Sequence, residues 1–511
     1  MNNKIFTLLI GIFGILGMLL ILWITPFGSG VSADSTVYLE SAQNIIEGQG
    51  FVQGGVPITH YPPMYSIALS MMGFFSNDLI QVARYFNSFL FGVNIVLVAS
   101  IVTLATDKKA LTFVMAAIFT VATAPLIEIH SMAWTEPLFI TFTLISVYLL
   151  YKCYKNPTNW VLFSSAITLS LVVVTRYVGI ALILAGLVIV VISLQDRSTR
   201  EKFLIIIGWL VLALTPLLIF LLRNLFVTSN ATNRSIVFHP ISITEFVRKV
   251  LTNIFNLFAP SSFPFLVRPL IFVILSALIF YFVIQVIRRS NRGYDNGWEK
   301  IGLVIVSFIF TTFYIGLLYL SISFIDGSTP VDKRILFPIL IVFILGVFQL
   351  LWFLSEALNK KIIWWAFLGL TLLSISLKMP DAVHMASRIK NEGLGYTSKR
   401  WINSESIDYM SSLDTNTKIY SNGTDVLGFS VSIKSFSLPK KYSSITNLEN
   451  PDYKNEIVAL CSEIKEKKAI VLYFDKIYRN YLPTKDEIEN NCNIVPTEKF
   501  SDGALYGELS K

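Results

Sequence analysis

The feature that most constrains this chain is a succession of apolar runs, each about twenty residues long. Runs of that length match the hydrocarbon core of a bilayer, where only helices or closed barrels satisfy their own backbone hydrogen bonds. They begin at 5–24 and recur at 79–105, 110–127, 136–152, 159–175, 177–194, 203–223, 267–287, 301–323, 334–355 and 362–379, about eleven in all. Uninterrupted apolar stretches of this length read as helices. Only 14% of the 511 residues are charged, against roughly a quarter in soluble domains. The expected class is a mainly α-helical integral membrane protein, multi-pass in the bilayer, and in the plasma membrane if the cell is prokaryotic. A cleaved secretory signal is the alternative for the first run, since Val31-Ser32-Ala33 fits a cleavage site. The run exceeds the usual signal core of about 7–15 residues, which favours a retained span.

Charge in the loops sets the orientation. Lys108, Lys109, Lys152, Lys155, Arg197, Arg200, Lys202, Arg288, Arg289, Arg292, Lys300, Lys360 and Lys361 gather on one side. That is the cytoplasmic side by the positive-inside rule, with the N-terminus among it. Positive charges on the other side are sparser, and most abut span ends. The formal net charge of +8 is thus a matter of topology, and no nucleic-acid partner is expected. Residues 1–379 form the membrane domain, with outer loops 28–78, 128–136, 224–266 and 324–333. An odd number of spans leaves 380–511 extracytoplasmic.

That tail is polar and reads as a soluble α/β domain. Strands are expected at 418–422 and 469–473, and helices at 453–467 and 484–490. It carries no glycine fingerprint, nucleophile elbow or phosphate loop, so its expected role is support or acceptor binding. Cys461 and Cys492 could pair if the tail is outside; Cys153 lies at the inner end of a span. In the 224–266 loop, residues 243–258 carry apolar side chains at helical spacing. They suit a helix lying in the membrane interface.

The first outer loop is the first polar interruption, and it holds Asp34, Tyr38, Glu40, Glu47, His60 and Tyr61. Asp34 reads as a helix cap, with Ser32 the rival for that role, or as a general base at the membrane surface. A hydroxyl nucleophile is weak until a base takes its proton. Glu136, followed by Pro137, opens a span beyond the second loop, and an acid at that boundary needs solvent or a partner. Asp34 and Glu136 together are the candidate ligands for a divalent ion, Mg²⁺ or Mn²⁺, if they approach each other. Arg176 and Arg334, with Arg84 a third candidate, sit at the depth of a lipid-linked phosphate. A guanidinium fork binds phosphate with two parallel bonds; the alternative is that they reach to lipid headgroups. The four histidines, His60, His130, His239 and His384, are not spaced as a zinc site. His60, beside Tyr61, is the one assigned to the candidate site.

The order Asp34-x-x-x-Tyr38, Gly48-x-Gly50-Phe51 and Tyr61-Pro62-Pro63 resembles the first outer loop of the GT-C membrane glycosyltransferases, most nearly the aminoarabinose and protein-O-mannosyl types. The resemblance implies an N-inside multispan core and a polyprenyl-phosphate sugar donor, undecaprenyl- or dolichyl-linked. It implies a phosphate leaving group, inversion at the anomeric carbon and an extracytoplasmic acceptor. It maps the loop acid onto Asp34 and the second-loop acid onto Glu136. Two departures stand out: Ser35 follows Asp34 where many members have a second acid, and Tyr61 precedes the proline pair where some have Lys. A lipid-linked glycan polymerase or ligase, a polytopic transporter and a membrane anchor are the other readings. The span interiors, nearly free of charge, argue against transport.

Overall fold

A computed structural model of the chain describes residues 3–74, 76–106, 110–238, 241–258, 263–264, 267–290, 298–413 and 417–508. Lys108, Lys109, Arg292 and His239 lie outside the described residues. Seven of the described helices are long and apolar enough to cross a membrane: Leu79–Ala105, Glu136–Lys155, Thr199–Thr228, Val267–Arg289, Gly302–Phe324, Lys333–Ala357 and Lys361–Glu392. An eighth is added if Val114–Val121 and Ala124–Ser131, bent by 62° against each other, count as one span. Leu8–Ile24, Asn159–Thr175 and Tyr177–Ser193 are shorter apolar helices. All eleven apolar runs are therefore helical, one of them broken.

The break falls within the run expected at 110–127. Pro125 stands in the first turn of Ala124–Ser131, where a residue without an amide hydrogen starts a helix easily but cannot continue the preceding one. The second loop, expected on the outer side at 128–136, accordingly shrinks to 132–135. At the other end, Lys361–Glu392 continues through Pro380, so the boundary expected at 379 falls inside one helix.

Polar side chains fix where the helices start. Ser32 caps Ala33–Ile46, Asp78 caps Leu79–Ala105, and Asp332 caps Lys333–Ala357 by accepting from Ile335 N at 3.0 Å. Asp34, one of the two expected caps, is instead the second residue of its helix. The expected interfacial helix is Ile243–Phe258. It buries Phe246 and Val250, with Phe246 edge-on to Tyr319 at 5.2 Å, while exposed Glu245 and Lys249 pair at 2.8 Å.

The tail contains a five-stranded mixed sheet in the order Phe436–Ser437, Lys418–Ser421, Ala469–Phe474, Gly503–Tyr506, Glu498–Phe500. The first three strands run parallel and the last two pair antiparallel. Ile457, Leu460, Ile488 and Tyr506 pack on one face, and Trp401, Met410, Leu427 and Phe474 on the other. A Cys461–Cys492 disulfide joins the helices Tyr453–Lys465 and Lys485–Cys492 on the first face, with Cα atoms 4.9 Å apart.

The segment before Asp34 is held on both sides. Gly30 bridges to Met132 and Val31 bridges to Gly395, each in parallel. Tyr396 N donates to Val31 O at 2.7 Å, and Ala133 N donates to Gly30 O at 2.8 Å. Gly395 has φ +58°, and a Cβ there would lie 1.9 Å from Val31 O. That close approach demands glycine.

Candidate active site

Three helix starts and one helix break converge on a chain of alternating charges. Asp34 sits in the first turn of Ala33–Ile46, Glu136 opens Glu136–Lys155, and Arg334 is the second residue of Lys333–Ala357. Carboxylates at helix starts are favoured by the aligned peptide dipoles. Arg176 lies where Asn159–Thr175 ends in extended backbone, φ −150° and ψ 133°, before the short turn Tyr177–Gly179. This break is why the polar residue interrupts an otherwise continuous apolar run.

Arg334 holds both acids. Its Nη1 lies 2.8 Å from Asp34 Oδ2, while Nε donates to Glu136 Oε1 at 2.5 Å and Nη2 to Oε2 at 3.4 Å. Arg176 Nη1 also donates to Glu136 Oε1, and to Thr135 Oγ1 at 3.0 Å. The Glu136 side chain is only 1% exposed, whereas those of Arg176 and Arg334 are 20% and Asp34 31%. The arrangement thus runs from a sealed carboxylate outward to an accessible one. The Arg334 guanidinium stacks 4.1 Å from the centre of the Trp134 ring, a favourable cation–π placement. Trp134 Nε1 in turn donates to Ser32 Oγ at 2.8 Å.

Around Asp34 the loop supplies aromatic walls. Tyr61 donates to Asp34 Oδ1 at 2.7 Å. Tyr38 meets Tyr61 and Tyr65 edge-on at 5.2 and 5.7 Å, and the His60 ring lies 4.4 Å from that of Tyr61, tilted by 49°. Burial pushes the Asp34 carboxyl upward, but Arg334, the Tyr61 hydrogen bond and Arg176 outweigh it and hold it below the usual carboxylate range. It is ionised at neutral pH. Burial, and then Arg234, lower His60 despite the opposing pull of Asp34, so its imidazole is neutral there.

The structure brings Asp34, Tyr38, Tyr61, Glu136, Arg176, Arg334 and His60 together. Arg84 is elsewhere: its guanidinium donates to Leu22 O at 2.7 Å, Thr25 Oγ1 at 3.1 Å and Gln81 Oε1 at 3.0 Å. A divalent ion on Asp34 and Glu136 fits poorly, because Arg334 already binds both. Among the described residues no group of three or more His, Cys, Asp or Glu side chains is arranged to hold a metal ion. Sequence reasoning missed Trp134, whose partner is 200 positions away, and two further arginines. Arg223 donates to Ile58 O at 3.0 Å and Phe51 O at 3.1 Å, pinning the loop. Arg234 pairs with Asp326.

Residues 48–238 match the model of the dolichyl-phosphate-mannose-protein mannosyltransferase family. The whole chain superposes on ArnT from Cupriavidus metallidurans bound to undecaprenyl phosphate, with TM-score 0.54, 11% identity and 97% of each chain covered. The chain is a membrane glycosyltransferase of ArnT-like fold. The family match carries the enzyme class and the superposition carries the fold. The apo form of the same ArnT aligns over the same share at 11% identity and TM-score 0.43. No curated protein sequence matches this glycosyltransferase significantly.

Proposed function

We propose that this glycosyltransferase moves a sugar from a polyprenyl-phosphate donor to an extracytoplasmic acceptor hydroxyl with inversion, using Asp34 as general base. The observation that carries the reading is the chain Asp34–Arg334–Glu136–Arg176. It places an ionised, accessible carboxylate beside two guanidinium groups whose far side is anchored on a buried acid. In the step, the acceptor O–H proton passes to Asp34 as the oxygen attacks the anomeric carbon. The glycosidic C–O bond breaks and its electron pair leaves on the phosphate oxygen, releasing polyprenyl phosphate. Arg334 and Arg176 are the groups placed to meet that phosphate, since a guanidinium stays charged and offers a planar fork. Glu136 keeps both in position, and Tyr61 and Tyr38 wall the acceptor side of Asp34.

The reading includes about eleven spans, a cytoplasmic N-terminus and an extracytoplasmic tail. The loop charges support that orientation, and so does the Cys461–Cys492 disulfide, which suits an oxidising compartment. The test is incubation of the purified protein with a panel of polyprenyl-phosphate sugars, each with candidate lipid, glycan and peptide acceptors. Release of polyprenyl phosphate that depends on one acceptor is expected. Its absence across the panel, with intact folded protein, counts against the reading.

A further inference from the structure

A cavity of about 240 Å³ with a mixed polar and apolar lining opens between Ala124–Ser131, Ile243–Phe258, Lys333–Ala357 and Lys361–Glu392. It is several times larger than the roughly 30 Å³ share of one water. Lys333, Phe337 and Leu340 line it at spacings of four and three, which is one stripe of a helix. Arg334, the next residue, is turned about 100° away toward Asp34. The facing stripe of Lys361–Glu392 presents Lys378, His384 and Arg388, with Asp381 the only acid in the lining. Lys378 Nζ donates to Asn256 O of the interfacial helix at 2.9 Å, which fixes that side chain to the cavity wall.

Charge and apolarity are sorted along the cavity. Lys333 begins one helix, and Arg388 lies in the last turns of the other with its guanidinium 3.9 Å from Glu128. Phe337 and Leu340 continue into the span below them. An excess of cations above an apolar wall, between helices at the membrane boundary, suits an amphiphile with an anionic head. We propose that this cavity binds the phosphate headgroup of an anionic lipid, separately from the Asp34 centre and on the opposite flank of the first turn of Lys333–Ala357. The lipid is either a bulk anionic phospholipid or a polyprenyl-phosphate carrier, which share the phosphate that Lys333 and Arg388 recognise.

The test uses the full-length protein in phosphatidylcholine nanodiscs doped with phosphatidylglycerol or with undecaprenyl phosphate, with retained lipid read by native mass spectrometry. Wild type should retain an anionic lipid in preference to phosphatidylcholine. The double variant Lys333→Gln, Arg388→Gln should lose that retention at least about tenfold. Both side chains are exposed, so the fold should survive, and Lys333→Arg, Arg388→Lys should keep the lipid. Displacement of phosphatidylglycerol by undecaprenyl phosphate would assign the site to the carrier; persistence of phosphatidylglycerol would assign it to bulk lipid. Equal retention by wild type and the double Gln variant, or phosphatidylcholine held as firmly as phosphatidylglycerol, overturns the proposal. The phosphatidylglycerol arm does not depend on the transferase reading.

Discussion

The hydroxyl of Tyr61 donates a 2.7 Å hydrogen bond to Asp34 Oδ1 from 27 positions downstream, so two distant points of the first polar loop meet at the proposed base. That bond favours the ionised carboxylate and helps lower its pKa. Because the folded pKa is depressed, activity that needs the carboxylate is full above it and lost as pH falls through it. Tyr61→Phe removes one depressing influence, so the acid limb of the pH–rate profile should move to higher pH. A profile that superposes on wild type would show that Tyr61 does not tune the base.

Asp34→Asn should abolish turnover without unfolding the protein. Removing a positioned base typically costs about 10²–10⁴ in rate. Ser32, not Asp34, caps the helix, so no cap is lost. Glu40 is exposed and accepts from Gly54 N, and Glu40→Gln should stay active. Single-turnover kinetics with bound donor would separate the lost chemistry from binding. Near wild-type turnover in the Asn variant would remove Asp34 from the mechanism.

Arg334→Lys keeps a charge and loses the fork. One ammonium cannot span Asp34 Oδ2 and both Glu136 oxygens as the guanidinium does. The apparent donor affinity should fall at least about tenfold, or roughly 1.4 kcal/mol, while the protein still inserts. The donor concentration dependence of initial rates measures it. Arg176→Lys should weaken donor binding in the same direction.

Glu136→Gln should cost stability more than Asp34→Asn. The Glu136 side chain is 1% exposed and neutralises two guanidinium groups. Breaking such a buried arrangement from one side costs on the order of 3 kcal/mol. A clear drop in melting temperature, followed by detergent-solubilised size exclusion, is expected. An unchanged melt would mean that packing alone holds these helix ends.

The membrane architecture was legible in the sequence because twenty apolar residues have few other fates. The four strands and helices expected in the tail appear at 418–421, 469–474, 453–465 and 485–492, each marked by its own periodicity. The pairing Phe436–Ser437 and the edge strand Glu498–Phe500 were not legible, being too short to show an alternation. At the site, Asp34, Glu136, Arg176 and Arg334 each stood out as charges at an apolar boundary. That one arginine would bind both acids was not readable, because Arg334 and Glu136 are 198 positions apart. Arg84 showed the same boundary signal for a different reason: it ties Leu79–Ala105 to the end of the first helix.

Topology can be read with a reporter cysteine. Tyr478 lies in the tail and is 83% exposed, so Tyr478→Cys should react with a membrane-impermeant thiol reagent on intact cells. Cys153 is buried, and Cys461 and Cys492 are joined, leaving a low background. Labelling only after permeabilisation would invert the orientation and with it the side on which the reaction occurs.

The backbone stitch of Val31 to Gly395 and Tyr396 means that the tail is not an appendage that can be trimmed. Two residues separate Val31 from Asp34, and the backbone that steadies them comes from Gly395 and Tyr396, more than 360 positions later. During synthesis the loop that carries Asp34 therefore lacks this support until nearly four hundred residues have been made. The loop that carries the proposed base gains this backbone support only when late-made chain docks against early-made chain.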